Sequence, residues 1–315
     1  MDMKKYCFGI DIGGTTIKCG FFTAQGELLE KWEIPTRKED KGSKIPQDVA
    51  DTIAAKIQEK GIVKDEIAGV GLGVPGPVGA DGTVHQCANL GWGIINIKNI
   101  MEELTGLPVQ AGNDANVAAL GEMWQGGGRG FSDVVMVTLG TGVGGGVILD
   151  GRIRAGVCGA AGEIGHIIME EEDTDAVCGC GGHGHLEQYA SATGIVRMAK
   201  KKLAADDAPS SLRTLETITA KDVFDHAKAG DQTANDLVDM LGRYLGMALY
   251  NIAAVVDPQV FVIGGGVSRA GDILLNAIEK HYNENGISAL LGKEFRLATL
   301  GNDAGIFGCA RMLLD

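Results

Sequence analysis

The chain has 315 residues, 45% of them apolar and 22% charged, with a formal net charge of −13. That charge argues against a general nucleic-acid or anionic-membrane partner, and the apolar content rules out a disordered composition. It leaves room for a phosphate ligand, because backbone N–H groups hold phosphate without a basic patch.

Met1–Lys5 is too short for a signal peptide, and the apolar stretch after it breaks at Asp11. Tyr6–Ile12 reads as a strand, Gly13-Gly14-Thr15-Thr16 as a turn, and Ile17–Phe22 as a second strand. Gln25-Gly26 turns the chain into a third strand at Leu28–Trp32. Arg37–Lys44 is charged and reads as a surface loop, Gln47–Glu59 has helical spacing, and Ile67–Val74 is a buried strand. Gly71-Leu72-Gly73-Val74-Pro75-Gly76 matches GxGxxG, but Pro75 and Pro77 break the helix that a dinucleotide site requires, so a tight turn is expected.

Val134–Leu139, the Gly/Thr run Gly140–Gly146, Val147–Leu149 and the Asp150-Gly151 turn repeat the plan of the first hairpin. The repeat suggests two lobes of similar design, with two Gly/Thr turns forming a two-sided phosphate clamp; the plain alternative is two ordinary hairpins. Ala204–Arg213 reads as a connecting loop. Asp231–Val256 carries apolar residues at i, i+3, i+4 spacing and is a long core-facing helix, too short in its apolar run Leu245–Val256 to span a bilayer. Val260–Ile263 is a buried strand, then Gly264-Gly265-Gly266 and a helix from about Ala270. Strands and helices alternate, which gives an α/β class.

Three constellations carry chemistry. Asp11 closes a buried strand, where a carboxylate can hold hydrated Mg²⁺, and the Gly and Thr residues after it, through Lys18, suit phosphate. Asn113-Asp114-Ala115-Asn116 precedes a helical run, and a helix N-cap is the plain explanation. His166, Cys178, Cys180, His183 and His185 fall in one short span whose thiolate and imidazole donors suit Zn²⁺. The seven cysteines, an odd and mostly scattered set, otherwise read as thiols of a reducing, cytoplasmic compartment.

Together, Asp11-Ile12-Gly13-Gly14-Thr15, Ala88-Asn89-Leu90-Gly91-Trp92, Gly112-Asn113-Asp114-Ala115-Asn116, Leu139–Gly146, Gly162-Glu163-Ile164-Gly165-His166 and Glu187-Gln188-Tyr189-Ala190-Ser191 resemble the ROK family (repressors, open reading frames and kinases), and within it the glucokinases. The resemblance runs almost end to end. It implies a two-lobed actin/hexokinase/Hsp70-like ATPase fold, a duplicated ribonuclease H-like plan. The expected lobes are residues 1–115 with a C-terminal helix at about 303–315, and 116–302 with a zinc loop.

The resemblance further implies a cytoplasmic, ATP-dependent kinase of glucose or a related hexose, a homodimer or homotetramer, with neither nucleic acid nor membrane as partner. Asp114 would be the catalytic base. Asn89, Asn113, Asp114, Glu163, His166 and Glu187 would contact the sugar. Asp11 (through water to Mg²⁺), Gly13, Gly14, Thr15, Thr16, Lys18, Thr141 and Gly142 would hold the phosphates, and Gly264, Gly265 and Gly266 would lie beside the adenosine. Zinc would sit on His166, Cys178, Cys180 and His185; the family has a third cysteine where this chain has His185, and His183 is the competing ligand. N-acetylmannosamine kinase and fructokinase are the alternatives within the family. A sugar-responsive repressor would need an added N-terminal helix-turn-helix, for which a first strand at Tyr6 leaves no room. An actin-like filament or chaperone ATPase would lack the sugar residues and the zinc loop.

Overall fold

A computed structural model describes residues 4–85, 87–284 and 286–314. In chain order, β1 (Tyr6–Ile12), β2 (Thr16–Thr23) and β3 (Leu28–Pro35) form an antiparallel meander, followed by a left-handed turn, α1 (Glu39–Gly42), with positive φ at Asp40, Lys41 and Gly42, and by α2 (Ile45–Lys60). β4 (Ile67–Val74) runs parallel to β1; the small hairpin β5 (Thr83–Val84) and β6 (Ile95–Asn96) leads to α3 (Ile97–Thr105). β7 (Val109–Asn113) adds parallel to β4, and α4 (Asp114–Gln125) follows.

The plan then recurs. β8 (Val134–Leu139), β9 (Val143–Leu149) and β10 (Arg152–Ile153) form a second meander. Helices α5 (Glu187–Ala190), α6 (Ala192–Ala205), α7 (Ala220–Lys228) and α8 (Gln232–Val256) precede β11 (Val260–Gly264), which lies parallel to β8. α9 (Asp272–Asn283), β12 (Glu294–Leu297), parallel to β11, and α10 (Ala304–Arg311) complete the chain. The two five-stranded sheets are ordered β3-β2-β1-β4-β7 and β10-β9-β8-β11-β12, a meander extended by two parallel strands in each case. This is the expected duplicated ribonuclease H-like plan. Among the described residues no helix is long and apolar enough to cross a membrane.

The chain divides into two compact units: unit 1 runs through Ser132 and adds Gly146–Gly162 and the segment from Leu300, while unit 2 comprises Asp133–Gly145 and Glu163–Thr299. In unit 1, one face of the first sheet (Phe8, Ile10, Ile17, Leu72) packs on α2 and α3 through Val49, Ile53, Ile97 and Met101. The opposite face receives α10 at very close range. A Cβ at Gly9 would stand 2.1 Å from the Ile306 carbonyl oxygen, and one at Gly71 1.8 Å from that of Cys309. Only glycine lets a helix backbone lie directly on these strands.

The same packing moves the expected boundary at 115/116. Helix α4 stays with unit 1, because Gly121 and Gly308 let it meet α10 backbone to backbone. Buried Glu122 fixes its C-terminal end, accepting from the N–H of Gly127 and the N–H of Leu300, each at 2.8 Å. Residues 1–3 and 315 of the expected lobe lie outside the described residues.

In unit 2, α8 buries Leu237, Leu241, Leu245 and Leu249, and Gly242 and Gly246 admit α9 against it. Phe261, Tyr282 and Phe295 form an aromatic cluster beneath. Three local expectations change. β9 begins at Val143, so the turn is Gly140–Gly142 only. Ala204 and Ala205 belong to α6. The helix expected from Ala270 starts at Asp272, after a 3₁₀ turn at Val267–Ala270.

Candidate active site

In unit 1 the parallel strands β1, β4 and β7 deliver polar groups at their C-terminal ends, the usual location of a site in an α/β sheet. Asp11 pairs in register with Gly73, and Gly73 with Gly112, one residue before Asn113. The turn after Asp11 is held by its own backbone, with the Gly13 N–H on the Thr16 carbonyl at 3.1 Å. It is also held by Thr36, whose hydroxyl donates to the Gly13 carbonyl at 2.7 Å and whose N–H donates to the Thr15 carbonyl at 3.0 Å. Lys18 points its ammonium at the Asn302 carbonyl, 2.9 Å away. It is bound to the C-terminal segment in this structure, although its charge still acts on Asp11.

Asn113 is the N-cap of α4: its side-chain oxygen accepts from the Asn116 N–H at 3.1 Å, and its amide donates to the Gly76 carbonyl and to Asp114 Oδ1, each at 3.1 Å. The cap explanation therefore holds for Asn113. Asp114 is the first residue of the helix, and Oδ1 also accepts from the Ala115 N–H at 2.8 Å. Those donors fix the orientation of the carboxyl group. Burial pushes the Asp11 pKa up to about 6; the Asp114 charge adds to this, and Lys18 opposes it. The two carboxylates thus sense each other. Asn89 lies exposed on the 3₁₀ turn Ala88–Leu90. The GxGxxG stretch ends β4 and turns at Gly76, whose φ is +91°, with no helix behind it, as expected.

In unit 2, Gly140 and Thr141 line a cavity of about 530 Å³, together with Ala192, Phe224, Lys228, Gly266, Val267 and Arg269. Of the three expected glycines, only Gly266 borders it. Gly264 faces the Met136 side chain, and Gly265, at φ +84°, is pressed on the Leu139 backbone, where a Cβ would stand 2.5 Å from the carbonyl oxygen. The α7 wall, Ala220, Lys221, Phe224, Asp225 and Lys228, was absent from the sequence expectations. Its signal was a Thr219–Asp222 capping box opening an amphipathic helix, which marks a helix and nothing of its ligand.

Unit 2 also gathers His166, Cys178, Cys180 and His185, whose donor atoms all lie within 4.8 Å of one another. His166 Nδ1 is 3.4 Å from His185 Nδ1 and 3.8 Å from Cys178 Sγ; Cys180 Sγ is 3.5 Å from His185 Nδ1. His183 stands outside this cluster, with its Nε2 3.0 Å from the Glu171 carbonyl oxygen. The loop turns at Gly181, φ +91°, and Gly184, φ +68°. Gly179 has open space around it, so the turn places no demand on it. Glu163 Oε2 stands 3.9 Å from His166 Nε2, on the opposite side of the ring from the cluster. Glu187, at the start of α5, places Oε2 3.0 Å from the Val143 nitrogen and Oε1 3.7 Å from Cys178 Sγ.

Residues 7–315 match the ROK family. The chain is 45% identical over 309 residues to a glucokinase of Halalkalibacterium halodurans, covering 96% of this chain and 93% of that protein. Among solved structures it is similar to a ROK hexokinase from Thermus thermophilus, at 32% identity and a TM-score of 0.79 over 97% of each chain. It is also similar to a ROK family glucokinase from Streptomyces griseus in complex with glucose and AMPPNP, at 34% identity and a TM-score of 0.71 over 98% of each chain. The chain belongs to the ROK family.

Proposed function

We propose that this protein is a glucokinase: it transfers the γ-phosphoryl group of ATP to the 6-hydroxyl of glucose, with Asp114 as general base. The observation that carries the assignment of the base is the setting of Asp114, at the first position of α4, held by the Ala115 N–H and the Asn113 amide beside Asp11. The assignment of the substrate is supported by glucokinases among the relatives. Phosphoryl transfer needs alignment, charge stabilisation and a base, and little covalent chemistry. As the sugar oxygen attacks phosphorus, Asp114 takes its proton, a contribution of roughly 10²–10⁴-fold.

The turns Gly13–Thr16 and Gly140–Gly142 supply N–H and hydroxyl donors for phosphate oxygens. Asp11 fits Mg²⁺: a carboxylate raised to about 6 by burial and a neighbouring acid is one that a cation relieves. Mg²⁺ carried with the nucleotide would neutralise phosphate charge there. Asn89, Asn113, Glu163, His166 and Glu187 are assigned to sugar hydroxyls by the family resemblance. The S₂N₂ donor set of His166, Cys178, Cys180 and His185 fits Zn²⁺, and four protein ligands leave no open position, so the metal is structural.

The test is kcat/KM for a panel of hexoses with ATP. Polar sites built for hydroxyls reject analogues that leave buried partners unpaired. Glucose is expected to lead; a tenfold or larger preference for fructose or N-acetylmannosamine would overturn the glucokinase assignment and leave the kinase class standing.

A further inference from the structure

The phosphate turn of unit 2 is held from one short segment. The Ala192 N–H donates to the Gly140 carbonyl at 2.8 Å, and the Thr193 hydroxyl donates to the Thr141 carbonyl at 2.7 Å. Thr193 Oγ1 lies 3.0 Å from Ser191 Oγ, and Ser191 caps α6 by accepting from the Gly194 N–H at 2.9 Å. Ser191 Oγ also donates to the Glu187 carbonyl at 2.6 Å, joining the cap to the residue that begins α5. The third hold on the turn is the Glu187 side chain. Its Oε2 accepts from the Val143 N–H at 3.0 Å and lies so close over Gly142 that a Cβ there would stand 2.1 Å from it. Its other oxygen is 3.7 Å from Cys178 Sγ, one of the four clustered ligands.

A residue needed only to bind sugar has no reason to spend a carboxylate oxygen on the backbone N–H of Val143, which follows the nucleotide turn directly. A charge-assisted bond of this kind is among the stronger ones a loop can receive. The geometry points to Glu187 as a positioning residue for the nucleotide turn, in addition to any contact with sugar. The inference rests on the reading of Gly140–Gly142 as a phosphate-binding turn. It adds that affinity for nucleotide depends on Glu187 before any sugar is present.

The experiment is calorimetric binding of a non-hydrolysable ATP analogue with Mg²⁺ to the sugar-free protein, for the parent, Glu187→Ala and Glu187→Gln. Thermal melts select variants that remain folded. Glu187→Ala should weaken the analogue about tenfold, a typical size for losing a hydrogen bond to a charged group. Glu187→Gln, which keeps an oxygen for the Val143 N–H, should stay within about threefold of the parent.

Unchanged analogue affinity in Glu187→Ala, with glucose affinity lost, would overturn the positioning role and leave Glu187 as a sugar ligand. Equal losses in the Gln and Ala variants would also overturn it. If the parent itself fails to bind the analogue, the assignment of the turn fails instead, a separate and recognisable result.

Discussion

Asp11 is a carboxylate held in a place that disfavours its charge. Burial and the neighbouring Asp114 raise its pKa to about 6, against the ordinary 3.8. Between those values the folded protein keeps a proton that the unfolded chain releases, so this residue's contribution to stability is present below about pH 4 and lost as pH rises through about 6. Asp11→Asn cannot ionise and should lack that loss. In chemical denaturation without nucleotide or Mg²⁺, the variant should match the parent near pH 4 and exceed it by about 1–3 kcal/mol at pH 7. A stability difference that stays flat from pH 4 to 7 would contradict the assignment. Phosphoryl transfer by the same variant should fall, because a carboxylate that destabilises the fold and is nonetheless present is one that function demands.

At this scale the sequence was legible where a residue has a short-range signature. Asn113 was marked as a cap by the helix after it, and the cap is there. The effect of Asp114 on Asp11 was invisible, since it arises from the pairing of β1 with β4 and of β4 with β7, which brings together residues about a hundred positions apart.

The metal loop shows the same limits one level up. Donor types and spacing were enough to propose the four ligands, and the backbone brings one of the two nearby histidines into the cluster. Val177 and His183 form an isolated bridge, as do Ile168 and His185. These bridges send the His183 ring toward the Glu171 carbonyl and the His185 ring into the cluster. Metal analysis of purified protein should find close to one zinc per chain, retained in His183→Ala and lost in His185→Ala. Zinc retained in His185→Ala and lost in His183→Ala would reverse the ligand assignment.

Strands with β-branched runs bounded by turns (β1, β4, β8) were readable to the residue. The start of β9 was not, because Val143–Gly146 reads locally as a glycine turn. A side chain at Gly146 would stand 2.5 Å from the Ala119 Cβ on α4, so glycine there answers to a neighbour distant in sequence and not to a turn. The cavity wall from α7 was missed for a related reason: Phe224 and Lys228 follow an ordinary amphipathic pattern, and only the tertiary fold brings them to Thr141.

For the whole molecule, the recurrence of strand, Gly/Thr turn, strand was the clue that survived: two sheets of one plan, each giving a turn after its first strand. The boundary between the units was harder to read, since it depends on which helix α10 packs against, and that is decided by Gly121 and Gly308, far apart in the chain, approaching each other. The ROK family membership and the proposed chemistry meet at Asp114. The most direct measurement is single-turnover transfer from ATP to glucose by Asp114→Asn, alongside calorimetric binding of glucose and of a non-hydrolysable ATP analogue. Asparagine caps and begins helices well enough to preserve α4, so both ligands should bind within a few-fold of the parent while the rate falls by roughly 10²-fold or more. A variant that binds both and turns over at near-parental rate would show that Asp114 only orders the helix start, and would contradict the mechanism.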